Sequence, residues 1–362
     1  MKNKIVLLLL VTGLLFTGCN SKTKSKEKNN ENIIKYTSDI EAVASLEDEM
    51  KDNSVWCGTF NIVWNILKDE YVKGDIKMTP EPVEVINLNK STFNKSELNE
   101  NSYYSKFGKQ TPELKKEIET AIKEKFNQKS DILDNFTWTK DSQDDFIYTM
   151  LYKKFNFEQP FKQLDNAPFN KSTDKKYKYF GIDKKNRDGI KQVTVLYYNN
   201  NNEYAVKIDT KENDQIILVK GNNEKNFLDS FNKVKEEEKK YDGKKELQTD
   251  ETLMVPYIEF NTFKSFDNLK NKPFKYADET DHVIAEAIQT IKFELNETGG
   301  KIKSEAAISV KETAIMPKPE IEIRHFDFDS DYKLFLIEKD KNLPYFAANI
   351  TSLDKFQKND SK

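Results

Sequence analysis

Few side chains in this sequence are equipped for covalent or acid–base chemistry, and their spacing limits what they can do. The 362 residues include two histidines, His282 and His325, and two cysteines, Cys19 and Cys57. The histidines are far apart and neither is spaced against other ligand types as a zinc site requires. Cys57, in Trp56-Cys57-Gly58, stands at an expected helix start, where the dipole would favour a thiolate. A catalytic cysteine needs a histidine partner, so a buried inert thiol is the simpler reading. Asp327, Asp329 and Asp331 alternate with Phe328 and Ser330, which describes one solvated strand face. A calcium loop would add a glycine and a distal glutamate. No glycine-rich phosphate cradle is present. The sequence thus names no catalytic residue, no metal site and no cofactor.

What remains is a segment that invites chemistry from outside. From Ile288 a helix-like segment and an apolar strand run into Asn296-Glu297-Thr298-Gly299-Gly300. A long stretch without core periodicity follows, small at Ser304-Glu305-Ala306-Ala307 and proline-bearing at Pro317 and Pro319. The chain returns through Phe326-Asp327-Phe328, a strand from Leu334 to Ile337, a turn, and a last strand from Tyr345 to Ile350. Loops this long inside a compact domain are usually functional or disordered. Both flanks read as buried strands, so the loop is displayed rather than terminal.

The first residues set the compartment. Lys2 and Lys4 precede an apolar run from Ile5 to Phe16, ending in Phe16-Thr17-Gly18-Cys19. A basic start, a short apolar core and small residues make a secretory signal, too short for a comfortable membrane span. Thr17-Gly18-Cys19 resembles a bacterial lipobox, with Phe16 in place of the usual leucine. That resemblance implies cleavage before Cys19, acylation of Cys19 (palmitate among the chains expected), and attachment to the outer face of the cell membrane. Residues 20 to 31 contain no apolar member and read as a solvated tether. The expected layout is a signal at 1–18, a tether at 19–32, one domain at 33–352 and a polar tail at 353–362.

Composition excludes several partners. Lysine plus arginine number 58, aspartate plus glutamate 61, and the net charge is -3. Such balance lacks the basic footprint of a nucleic-acid binder. Aromatic residues are 12%, with 24 Phe and 16 Tyr, so rings fill much of the expected interior. With Cys19 acylated, Cys57 has no partner and the fold must stand without an intrachain disulfide.

Helices come early and strands later, without the regular alternation of a doubly wound fold. Ser38 is placed to cap a helix with Ile40, Val43, Ala44 and Leu46 on one side. A second helix is expected after Asn53, through Val55, Phe60, Val63, Ile66 and Leu67. The third is best signalled: Thr111 caps, Pro112 suits the first turn, and Leu114, Ile118, Ile122 and Phe126 recur every four residues. Phe146 to Phe155 reads as a well-covered strand. Val193, Val195 and Tyr197, then Asn199 to Asn202, then Tyr204, Val206 and Ile208 make a hairpin. Ile216 to Val219 and Leu253 to Phe260 add strands, the latter an edge or bulge because of Pro256. The mixed-charge run Lys235 to Lys245 is an exposed helix or loop.

Several of these segments, in chain order, resemble the serpins. Glu113 to Phe136 looks like the helix and turn that cross the front of that family's main sheet. Phe146 to Phe161, with Phe157-Glu158-Gln159-Pro160-Phe161, resembles the central strand and its exit. Tyr197 to Lys220 resembles the hairpin that leads to the lid helices, and Leu253-Met254-Val255-Pro256-Tyr257-Ile258-Glu259-Phe260 the strand with the Val-Pro pattern. Ile291 to Gly300 looks like the strand that enters the hinge, and Phe328 to Asn349 like the two terminal strands. The match covers most of 53–350. Lys68 to Ser102 is short for the family, and Asn349-Ile350-Thr351 replaces its terminal Asn-Pro.

The resemblance implies an α+β fold with N-terminal helices, large mixed sheets and an exposed reactive loop. It implies a monomer that inhibits a secreted or host protease: cleavage lets the loop enter a sheet with room for one more strand. The hinge would be Glu297, Gly299, Gly300, Ser304, Glu305, Ala306 and Ala307. Lys301, Ile302 and Lys303 do not suit a strand that must enter a core, and the stretch from Gly300 to Arg324 is expected to stay exposed. Met316 is the preferred cut position, with Ile315, Pro317, Lys318 and Glu320 open. The alternative is a non-inhibitory lipoprotein of the same fold that binds or scaffolds a partner. An unrelated substrate-binding or adhesive lipoprotein is the third reading.

Overall fold

The alternation of apolar and polar residues builds two large sheets with aromatic rings packed between them. The computed structural model describes residues 36–37, 39–171, 175–305 and 323–357. The signal, the lipidation residue Cys19 and the tether lie outside the described residues.

The larger sheet has seven strands in the order β1 (Glu41–Val43), β2 (Ser54–Cys57), β18 (Phe346–Ile350), β17 (Tyr332–Glu338), β9 (Asp214–Lys220), β8 (Glu203–Asp209) and β7 (Val193–Asn200). Only β1 and β2 run parallel. All seven residues of β17 are buried, because helix α4 (Phe227–Lys240) covers its other face. Phe227 and Phe231 of α4 meet Phe335 at centroid distances of 6.2 and 5.5 Å.

The second sheet is antiparallel, in the order β11 (Ile258–Ser265), β14 (Ile288–Asn296), β15 (Gly299–Glu305), β4 (Asp145–Asn156) and β3 (Tyr103–Lys109). Between the sheets Phe293 packs on Phe346 at 4.7 Å and on Phe260 at 6.1 Å. Helix α3 (Pro112–Phe126) lies across the outer face, with Leu114, Ile118 and Ile122 against Phe146, Tyr148 and Met150 of β4. Its start is as expected: Leu114 N donates to Thr111 Oγ1, and Pro112 opens the first turn.

A four-stranded sheet, β16 (His325–Asp327), β10 (Thr252–Pro256), β6 (Tyr179–Ile182) and β5 (Lys162–Gln163), caps one end. Helices α1 (Thr59–Ile66) and α2 (Val83–Asn89) share a smaller core with Phe266 and Phe274, beside the hairpin β12 (Pro273–Lys275) and β13 (Asp281–Val283).

Three expectations are corrected here. The segment after Ser38 is strand β1, not a helix, because it is held from both sides: it pairs with β2, and Thr262 Oγ1 donates to Ile40 O at 2.9 Å. Leu253 to Phe260 is two strands in two sheets; Pro256 ends β10, where its missing N–H is not needed to continue a ladder. The domain also runs past 352, since Leu353 and Phe356 are fully buried and Glu259 N donates to Phe356 O at 2.7 Å. Among the described residues no helix is long and apolar enough to cross a membrane.

Candidate functional site

The site begins at the turn after β14. Asn296 pairs with Gly299 across Glu297-Thr298, so β14 and β15 form a tight hairpin. The turn is pinned by the exit of β4: Phe157 N donates to Thr298 O and Phe161 N to Glu297 O, both at 2.9 Å. Tyr257 Oη donates to Glu297 Oε2 at 2.5 Å. Gly299 has φ +143, a region that favours glycine, and a Cβ there would sit 2.2 Å from Phe155 O. At Gly300 a Cβ would meet the Phe155 ring at 2.6 Å. Gly299 is therefore demanded by the backbone of β4, and Gly300 by the Phe155 ring and by Glu294 O of β14, 2.7 Å from such a Cβ.

From Gly299 the chain enters the sheet, and this overturns the expectation for Lys301, Ile302 and Lys303. They pair with Glu294, Phe293 and Lys292 of β14 on one side and with Lys154, Lys153 and Tyr152 of β4 on the other. The physical reason is the period of two. Ile302 and Ser304 face the core and are fully buried. Lys301 and Lys303 face the α3 side, where Lys301 meets Glu294 at 3.1 Å and Lys303 pairs with Asp131 and donates to Lys129 O at 2.9 Å. The two lysines never had to enter the core. Of the hinge residues, Glu297, Gly299, Gly300, Ser304 and Glu305 are brought together here. Ala306, Ala307, Ile315, Met316, Pro317, Lys318 and Glu320 lie outside the described residues.

A neutral polar cluster lies beneath β15. Ser304 Oγ is 3.2 Å from Thr59 Oγ1, and Gln289 Nε2 donates to Thr59 Oγ1 at 3.1 Å, Ser304 Oγ at 3.3 Å and Cys57 O at 3.3 Å. All four residues are fully buried. Burial pushes the Cys57 thiol up to about 11, against hydrogen bonds from Ser304 and Thr59 that pull it down. That is an inert thiol, and its neighbour is the strand itself.

A charged cluster lies beside it. Lys153, opposite Ile302, reaches Asp214 Oδ1 at 2.7 Å and Glu338 Oε1 at 2.6 Å. Tyr345 Oη donates to Asp214 at 3.0 Å, and Asn99 N donates to Glu338 Oε2 at 3.0 Å. Burial raises the Asp214 carboxyl above the usual range, and Lys153 opposes it. This group ties β4 to β9 and β17.

The described part of β15 ends at Glu305, opposite Thr290, whereas β4 begins at Asp145. Among the described residues, Asp145 to Met150 of β4 pair only with β3. The far end of the loop is held separately. Arg324 grips Glu251 through Nε at 2.6 Å and a second nitrogen at 2.8 Å, and donates to Tyr241 Oη at 2.8 Å. Its guanidinium also stacks over Phe326, 5.4 Å from the ring centroid. The sequence treated Arg324 only as a loop end; Glu251 is too distant along the chain for spacing to have paired them. Gln289, Thr59 and Lys153 were equally silent, because a buried amide, hydroxyl or lysine has no sequence signature of its own.

The helix across the main sheet, the hairpin β7–β8, the strand into the hinge and the two terminal strands stand where the resemblance placed them. The fold class is the expected α+β. No family model matches the sequence, and no curated protein matches it. Solved structures do match. One is a cleaved serpin, Serpin 42Da, at 10% identity and TM-score 0.44, with 69% of this chain and 66% of that chain covered. Another is thyroxine-binding globulin in complex with thyroxine, at 12% identity and TM-score 0.40, covering 66% and 64%. A human thyroxine-binding globulin complex matches at 10% and TM-score 0.46, covering 82% and 90%. The chain thus spans slightly less than two thirds of the first two proteins that it is similar to.

Proposed function

We propose that this chain is a serpin-like protease inhibitor, tethered through an acylated Cys19 to the outer face of the cell membrane. Residues between Glu305 and Arg324 would serve as bait for a secreted or host protease. Cutting there would free the upstream arm to extend β15 along Asp145 to Met150 of β4, which among the described residues pair only with β3. The observation that carries the proposal is the register of β15, which turns Gly300, Ile302 and Ser304 inward and both lysines outward. Were the freed arm to continue that two-residue alternation, the small Ala306 would be the next residue turned inward. Strand addition of this kind gains backbone hydrogen bonds and releases strain held in the uncut state.

A specific observation favours the second reading, a non-inhibitory binding or scaffolding protein of the same fold. In the uncut chain β15 already stands between β14 and β4, so part of the stabilisation that cutting would release has been realised. The two readings are separated by incubating the protein with a panel of serine and cysteine proteases. The inhibitor reading expects a complex that survives denaturing gels, and a thermal midpoint well above that of intact protein after nicking between Ile315 and Glu320. A nicked chain no more stable than the intact one, with no resistant complex, leaves the binding reading. Metabolic labelling with a fatty acid tests the anchor, with Cys19→Ser expected to abolish the label.

A further inference from the structure

Where β9 leaves the large sheet and β17 enters it, a polar pocket of about 320 Å³ opens between Lys220, Asn223, Asp331, Lys333 and Asn349. Two lysines line it, and they are provided for differently. Lys220 Nζ meets Asp329 Oδ1 at 2.5 Å and donates to Asp327 O at 2.7 Å. Lys333 is only 6% exposed, and the partner of its Nζ is a backbone carbonyl, that of Asn222. Among the described residues no carboxylate forms an ion pair with it. The nearby acids have other partners: Glu224 stands 3.7 Å from Lys233, and Asp331 accepts from Asn170 Nδ2 at 2.8 Å.

The amides of the walls are engaged as well. The Asn222 side chain accepts from Ser230 Oγ at 2.6 Å and donates to Ser230 O at 2.9 Å, and Asn349 Nδ2 donates to Lys51 O at 3.0 Å. The ammonium of Lys333 has three N–H donors, and one carbonyl satisfies one of them. A buried charge without a counter-charge is costly, so it either gives up its proton or draws a counter-ion from outside. Burial pushes the Lys333 ammonium down to about 8, with Glu224 pulling the other way, so an ammonium still exists at neutral pH to attract one.

We infer that this pocket is a binding site for a small anion, a carboxylate or a phosphate, with Lys333 as its charge partner. The walls add polar contacts, and the adjoining helix α4, packed on the same face of β17, fixes the depth of the ammonium through Asn222 and Ser230.

The test uses the intact protein at fixed ionic strength, with sodium acetate and inorganic phosphate each exchanged against sodium chloride. At ten times its dissociation constant a bound anion should raise the thermal midpoint by about 2 °C, and the rise should continue with the logarithm of concentration. Calorimetry should give one site. The stronger of the two responses identifies the recognised group. Lys333→Met should abolish the response, and an equal response in that variant overturns the assignment. A wild-type protein whose midpoint responds to neither anion beyond sodium chloride, and which gives no saturable calorimetric isotherm, overturns it too. Should Lys333→Met fail to fold, Asn223→Asp, at an exposed wall position, places a carboxylate at the mouth. It should weaken binding at least tenfold, and unchanged affinity sinks the proposal.

Discussion

Lys153 and Lys333 both carry side chains largely withdrawn from solvent in the large sheets, and the protein treats them in opposite ways. Lys153 has two carboxylates, Asp214 and Glu338, which are themselves held by Tyr345 and by the backbone at Asn99. Lys333 has one backbone carbonyl and a pocket. The first charge is internally compensated and locks three strands together. The second is compensated only if something arrives, or if the proton leaves. A buried charge therefore counts as architecture or as a binding element according to its partners rather than its depth.

The largest effect that breaks this comparison is Lys153→Met. It leaves Asp214 and Glu338 facing each other without a cation, and should lose about 3–5 kcal/mol in urea denaturation. A smaller loss would mean that the carboxylates find a proton or water instead. The neutral cluster supplies an intermediate case. Ser304→Ala removes one hydroxyl from the Thr59–Gln289 group and should lose about 1 kcal/mol, with little pH dependence since no group there titrates in the working range. The smallest loss at neutral pH is expected from Lys333→Met, which removes an uncompensated buried charge and should leave stability unchanged or raise it.

Its signature is in the pH profile. Burial holds the Lys333 ammonium at about 8, below the ordinary lysine value of 10.5. Between these values the unfolded chain binds more protons than the folded one. Stability from this group therefore rises with pH across that window and is flat below it. Thermal melts from pH 7 to 10.5 should show that rise in the wild type and lose it in Lys333→Met. Asp48 gives the opposite sign elsewhere in the molecule. Burial lifts its carboxyl from 3.8 to about 7, so the folded form holds its proton longer, and its contribution falls as pH rises from about 4 to 7.

Long periodic elements were legible in the sequence, and isolated buried polar residues were not. The i, i+4 stripe of α3, with Thr111 and Pro112 at its start, and the alternation of β7 and β8 stand as read. β15 was misjudged because Lys301 and Lys303 were weighed by charge, when their place in a two-residue alternation decides which face they occupy. Ile40, Val43, Ala44 and Leu46 have helical spacing, yet pairing with β2 wins over local pattern, as tertiary context commonly does. Helix α4 was half seen: its charged end was read, while Phe227, Phe231 and Val234, its buried side, passed unnoticed among polar neighbours. For the site, the glycines at 299 and 300 could be read, because only they tolerate the approach of Phe155. Lys153, Gln289 and Arg324 could not, since each depends on partners far away in the chain.

Cys57 has one further consequence. Its thiol lies under Ser304 with no exposed surface, so a thiol reagent can reach it only in moments when β15 has lifted. The rate at which a maleimide or disulfide reagent consumes this one sulfur is thus a clock for strand departure. With excess reagent the clock reads how often the sheet opens; with scarce reagent it reads what fraction of the time the sheet is open. The molecule carries its own chronometer for the motion on which the proposed function depends.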